Sequence, residues 1–134
     1  MTMRRFHKAL IAVGLTGLMT SAALAVQGDR LSGSEIEQIV KGKRIYLATP
    51  FGGEFPLNYR TNGVVDGDGQ ALGLGRIARP KDEGRWWIQG NQLCQQWQTW
   101  YEGKRQCFDL GRGSGAKLYW LRNDGLSGEA RIAN

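Results

Sequence analysis

From Arg44 onward the apolar residues recur at every second position in short runs, and breaks rich in glycine, asparagine and aspartate separate the runs. A period of two puts alternate side chains on opposite faces of a strand. The pattern predicts strands over residues 44–49, 85–89, 93–101, 104–110, 117–122 and 128–132. Two more are expected where Phe55, Leu57 and Tyr59 alternate with Pro56, Asn58 and Arg60, and where Leu72 and Leu74 alternate between Gly67, Gly69, Gly73 and Gly75. Pro56 has no N–H to give a ladder, so it marks an edge or a strand start. Asn62-Gly63, Gly90-Asn91, residues 111–115 and Asn123-Asp124-Gly125 read as turns, and residues 79–84 as a polar loop.

About eight short strands with turn signals every eight to twelve residues or so predict a mainly β fold, an antiparallel meander curled into a small barrel or a sandwich. No helical pattern separates the strands, which disfavours a parallel α/β sheet. One short helix is expected over residues 34–42, before the first strand. Ile36, Ile39 and Val40 share a face at spacings of three and four, Ser34 and Glu37 form a capping box, and Gly42 supplies the stop. Residues 26–33 read as a polar leader.

The N-terminus follows a different logic. Residues 1–8 are short and basic, residues 9–25 carry no charge, and the run ends in Ala23-Leu24-Ala25. This is the pattern of a secretory signal peptide cleaved after Ala25, with residues 26–134 left as a single β-rich domain in the periplasm or outside the cell. An uncharged run of this length is short for a span, which needs about 20 residues, so no transmembrane segment is expected after cleavage.

Export changes the composition. Arg4, Arg5 and Lys8 leave with the signal and no acid does, so the net charge falls from +6 to +3. The remaining bases are scattered among acids, so no nucleic-acid partner is expected. His7 is the only histidine, and the methionines are Met1, Met3 and Met19, so the exported chain has neither residue. That removes Ser-His-Asp and Cys-His catalysis, the usual imidazole or thioether metal sites, and His or Met as haem ligands. No metal, cofactor or catalytic residue is assigned.

Cys94 and Cys107 are an even pair in an exported chain, and in an oxidising compartment such a pair reads as a disulfide. The hairpin register is open. A two-residue turn at Glu102-Gly103 would leave the sulfurs out of reach, whereas a turn centred near Trp100-Tyr101, with a loop of about four residues, brings them opposite each other. Two free thiols or an intermolecular bond are the alternatives.

The aromatic residues carry the candidate chemistry. Trp86, Trp87, Trp97, Trp100 and Trp120 are joined by Tyr101 and Tyr119, with Gln89, Gln92, Gln95, Gln96, Gln98 and Gln106 close in sequence. Tryptophan offers an apolar body with a polar tip, and glutamine a donor and an acceptor, which together suit a sugar or another flat polar ligand. Filling a small core is the competing role for most of these rings. In strand geometry Trp86 and Ile88 share one face while Arg85, Trp87 and Gln89 share the other. Arg85, Trp87, Trp97 and Trp100 are therefore the candidate ligand-binding residues.

Other motifs are weaker. Asp66-Gly67-Asp68-Gly69 resembles a calcium-loop fragment but lacks the closing glutamate and reads as a glycine-rich turn. Glu54, Asp66, Asp82, Glu83 and Glu129 are the acids from which a glycosidase pair would be drawn, and no spacing selects two of them. Ser114 between glycines has no histidine to activate it.

Several motifs taken together carry a resemblance. They are Leu31-Ser32-Gly33-Ser34-Glu35-Ile36, Gly84-Arg85-Trp86-Trp87, Leu93-Cys94-Gln95-Gln96-Trp97, Cys107-Phe108, Asp124-Gly125 and Gly128-Glu129-Ala130-Arg131-Ile132. Behind a signal peptide, this set resembles small exported proteobacterial proteins catalogued as a domain of unknown function. The resemblance implies a periplasmic β-rich domain and no activity. The function expected first is a non-enzymatic periplasmic binding or accessory protein with an aromatic-rich surface or pocket, its partner a small molecule, a glycan or an envelope protein. The alternatives are a glycan-acting enzyme using carboxylates alone and an envelope interaction or inhibitor module.

Overall fold

The structure, a computed structural model, describes residues 11–18, 24–50, 52–69 and 80–133. A two-residue strand β1 (Asp29–Arg30) precedes helix α1 (Gly33–Val40). Eight strands follow: β2 (Lys43–Ala48), β3 (Glu54–Tyr59), β4 (Val64–Asp68), β5 (Lys81–Gln89), β6 (Gln92–Trp97), β7 (Arg105–Arg112), β8 (Lys117–Arg122) and β9 (Ser127–Ile132). A 3-10 turn, Trp100–Gly103, lies between β6 and β7.

Each strand of β2–β9 pairs antiparallel with the next, and β9 pairs back onto β2 through Ile45–Ile132 and Leu47–Ala130. The result is a closed eight-stranded up-and-down barrel, which resolves the choice between barrel and sandwich and leaves no long free edge. Apolar side chains point inward: Ile45 and Leu47, Leu57 and Tyr59, Leu93 and Trp97, Leu110, Leu118 and Ala130 belong to or pack on one core cluster. Arg44, Asn58, Asp66, Arg85, Gln96 and Arg131 alternate with them on the outside. A lipid-facing barrel has the reverse polarity.

The helix is capped two residues earlier than its sequence signal. Ser32, not Ser34, is the N-cap, and Ser32 with Glu35 forms the capping box. Both serine–glutamate pairs fit the motif, and the burial of Gly33 decides between them. A Cβ on Gly33 would lie 2.1 Å from the carbonyl oxygen of Gly90, so the helix starts hard against the β5–β6 turn. Asn91 accepts the Gly33 N–H there at 2.9 Å. Ile36 and Val40 are fully buried. The helix thereby plugs the barrel end that carries the start of β2 and the β5–β6 turn.

Other expectations are corrected locally. Residues 26–33 are more than a leader, because β1 pairs with Gly111 and Arg112 and Leu31 is buried. Residues 81–84, expected in a loop, open β5, with Lys81 to Gly84 paired to β4. Gly111 and Arg112 stay in β7. Pro56 lies within a strand flanked on both sides, not at an edge. Its pairing with β2 is continuous, while the ladder to β4 begins at Leu57, past the residue that lacks a donor. The expected strand around Leu72 and Leu74 lies outside the described residues.

Cys94 and Cys107 are directly opposed on β6 and β7 and form a disulfide. The register centres the hairpin on Trp100-Tyr101, as the bonded alternative requires. The connection, residues 98–104, is longer than the expected four residues, and Glu102-Gly103 is not a two-residue turn.

Candidate functional site

Alternation along β6 and β7 sends Leu93, Gln95 and Trp97 inward with Gln106, Phe108 and Leu110, and puts the disulfide on the outer face of the wall, where both cysteines are still buried. Inside this wall lies a cavity of about 590 Å³. Its floor is Val40 of α1, its sides include Ile45, Leu57, Leu110 and Leu118, and Thr49, Pro50, Tyr101 and Leu126 stand around the opposite end. Eight-stranded barrels either fill with side chains or hold one small ligand, and a volume of this size falls in the range of ligand sites.

Two glycines on the inner wall make room for tryptophans at the open end. A Cβ on Gly67 would lie 2.8 Å from the Trp100 ring, and one on Gly128 would lie 2.5 Å from the Trp120 ring. Trp100 also meets Phe55 edge-on at 5.5 Å and tilts against Trp97 at 4.6 Å. Its backbone is fixed by Asp82, whose carboxylate accepts from Thr99 N–H at 2.9 Å and Trp100 N–H at 2.8 Å. Burial alone would raise the Asp82 carboxyl, but these backbone donors outweigh it and hold the group below its ordinary value. The turn then continues through Tyr101 and Glu102 at φ of 55° and 57°. Two consecutive non-glycine residues in the left-handed region are costly, and such strain clusters where a structure must place side chains at a site.

Three polar side chains stand in the apolar wall. Tyr59 donates its hydroxyl to Gln95 Oε1 at 2.8 Å. Burial pushes the Tyr59 hydroxyl far above its ordinary range, so it remains a neutral donor. Gln106 lies directly opposite Gln95. Among the described residues, two buried side-chain atoms have no hydrogen-bond partner, Gln106 Oε1 and Trp97 Nε1. Both belong to this wall. Buried polar atoms are nearly always paired, so two orphans in one cavity call for an explanation.

Near the open end Arg122 is neutralised. Its guanidinium donates to both oxygens of Asp124, at 2.9 and 2.7 Å, and lies 5.5 Å from the Tyr101 ring. The Arg122 hydrogen bonds and the Leu126 N–H lower the Asp124 carboxyl to about 2.

The structure brings Trp97 and Trp100 together in the cavity and separates them from the other two candidates. Arg85 and Trp87 are on the outer face of β5, where Arg85 is exposed and Trp87 is paired in register with Cys94. The outer-face assignment agrees with the parity of the strand, and the inner ring Trp86 is a core residue near the helix end. The acids are dispersed. Glu54 pairs with Arg131, Asp66 with Arg60 and Asn58, Glu129 with Lys117, and Asp82 holds the loop. Tyr59 and Arg122 were missed by sequence reasoning. Gln95 and Gln106 stood among many glutamines without distinction, although their parity was a usable signal, since each falls on the inward face between apolar residues.

No protein-family model matches the chain, and no curated protein or solved structure matches it.

Proposed function

We propose that this is a non-enzymatic binding protein of the periplasm or the extracellular space, which holds one small, largely apolar ligand inside its barrel. The observation that carries this reading is the cavity of about 590 Å³, walled by aliphatic and aromatic side chains, with two buried polar atoms in its wall residues that nothing among the described residues satisfies. A structural core of this size would be filled or its polar atoms paired. The plugged end supports entry from the opposite end, between the β2–β3, β6–β7 and β8–β9 connections.

Export is supported by the sequence of residues 1–25 and by the disulfide, a bond that persists in oxidising compartments. The described parts of residues 1–25, namely 11–18 and 24–25, have no secondary structure and expose Leu15, Leu18 and Leu24, so they add nothing to the core. The resemblance to exported proteobacterial domains points the same way. The dispersal of the acids into ion pairs and a loop contact favours binding over a carboxylate-only enzyme, which needs two facing carboxylates.

The test is tryptophan emission of the disulfide-intact protein against a panel of lipids, flat aromatic compounds and glycans. A saturable change for one apolar class, weakened in Trp97→Phe and retained in Trp87→Phe, is expected. A response that depends on Trp87 and ignores Trp97 would place the site on the outer wall and contradict the proposal.

A further inference from the structure

The orphan atoms say what kind of head group the cavity takes. Trp97 Nε1 is a donor and needs an acceptor, while Gln106 Oε1 is an acceptor and needs a donor. Trp97 follows Gln95 by two positions on β6, and Gln95 faces Gln106 on β7, so Trp97 and Gln106 are diagonal neighbours on one wall. Diagonal neighbours of this kind lie about 7–8 Å apart at the backbone, within reach of one small group held between their side chains. Trp97 and Gln106 are 3% and 6% exposed, and neither orphan atom is open to water, so a head meets them only as these side chains turn toward the cavity.

Unpaired charge is missing from this wall among the described residues. There the charged residues bordering the cavity are Arg122, paired with Asp124 near the open end, and Glu129, paired with Lys117. Arg122 stands opposite Phe108, two residues from Gln106, but Asp124 already neutralises it, so an ionised head at Gln106 would lose its hydration without gaining a free counter-charge, which is far more costly than placing a neutral one there. Gln95 and Phe108 are nearest the orphans in the alternation, and the wall beyond them toward Val40 is aliphatic, with Leu93, Leu110 and Leu118.

Resting on the binding reading above, we propose that the ligand is a neutral amphiphile whose head both donates and accepts a hydrogen bond, a hydroxyl or a primary amide, seated against Trp97 and Gln106 beside the β6–β7 connection with its apolar body toward Val40. The head accepts from Trp97 Nε1 and donates to Gln106 Oε1. A methyl ether of the same chain meets the first atom only.

Calorimetric titration with 1-octanol, octanamide, 1-methoxyoctane and octanoate at neutral pH separates the cases. Comparing the octanol-to-ether affinity ratio in the wild type and in Gln106→Leu cancels the difference in hydration of the two ligands. The ratio is expected to fall about fivefold or more in the variant, because the ether leaves the glutamine oxygen unmet only where that oxygen exists. Unliganded Gln106→Leu is expected to melt no lower than wild type, since it deletes an acceptor without a partner. Gln106→Met serves if the leucine variant does not fold. Trp97→Phe is expected to weaken octanol and ether alike.

Binding with an unchanged ratio, as a water bridging the two atoms would give, overturns the head-group inference and leaves the binding reading standing. Tightest binding by octanoate, lost in Arg122→Gln, overturns it in favour of a charged head near the open end. No binding by any of the four overturns both.

Discussion

Trp86 and Trp97 are both inward-facing and almost fully buried, yet they do opposite things. Trp86 packs edge-on against Tyr59, with ring centroids 5.9 Å apart, and donates its indole N–H to the carbonyl of Arg60 at 2.9 Å. It does not border the cavity. Trp97 faces the cavity, and its N–H has no partner. The first ring is complete within the fold; the second leaves its donor unmet among the described residues. The same contrast divides the barrel. One end is closed by Ile36 and Val40 of a capped helix, and the other is ringed by Tyr101 and Leu126, both more than half exposed. Burial alone therefore does not separate core from site in this molecule. Hydrogen-bond satisfaction does.

The comparison is broken most forcefully by truncation. Trp86→Ala is expected to lower unfolding stability by about 3–5 kcal/mol in urea titration, because it opens a void and removes one of the two hydrogen bonds on the Arg60 carbonyl, leaving that from Gly63 N–H. Trp97→Phe is expected to change stability by less than about 1 kcal/mol, since no hydrogen bond is lost, while weakening ligand binding. Equal destabilisation by the two would show that Trp97 is core.

Next in size is the disulfide. The bond spans 13 residues and clamps the hairpin that presents Trp100. Reduction, or Cys94→Ser with Cys107→Ser, is expected to remove about 3 kcal/mol on the chain-entropy model, measured by urea unfolding with and without reductant. The helix plug sharpens the other side of the contrast. Ile36→Ala is expected to cost about 2–5 kcal/mol and to leave the tryptophan spectrum of the open end unchanged in the folded protein.

The smallest effect concerns pH. The folded value of Asp82 is depressed, so its contribution to holding the loop is full above the ordinary carboxylate value of 3.8 and is lost as pH falls through the lower folded value. Trp100 packing is therefore expected to loosen in acid and not at neutral or alkaline pH. Asp82→Asn, which keeps the shape but weakens acceptance from two N–H groups, is expected to flatten that acid transition as followed by near-ultraviolet circular dichroism.

The barrel was legible because strand parity and turn chemistry agree along most of the chain. Residues 117–122 show this best, where the predicted and observed strand coincide. Boundaries failed where tertiary packing overrode local signals. Two serine–glutamate pairs were equally good helix caps, and only the approach of Gly33 to Gly90 selects Ser32. Lys81 to Gly84 looked like a loop because polar residues on an outward face and a glycine on an inward one carry no hydrophobic period. The site was half visible. Trp97 and Trp100 were singled out, but so were Arg85 and Trp87, which the alternation of β5 places outside. Tyr59 and Arg122 could not be attached to the site from sequence, because their proximity to Gln95 and Tyr101 depends on barrel closure and on a long hairpin connection.

The most direct measurement is the indole N–H resonances of the disulfide-intact protein, assigned with Trp86→Phe and Trp97→Phe, during titration with 1-octanol. The Trp97 signal is expected to move saturably downfield as its proton gains an acceptor, while the Trp86 signal, already bonded to Arg60, stays in place. A Trp97 signal unmoved at saturating ligand, or equal movement of the two, would contradict the account.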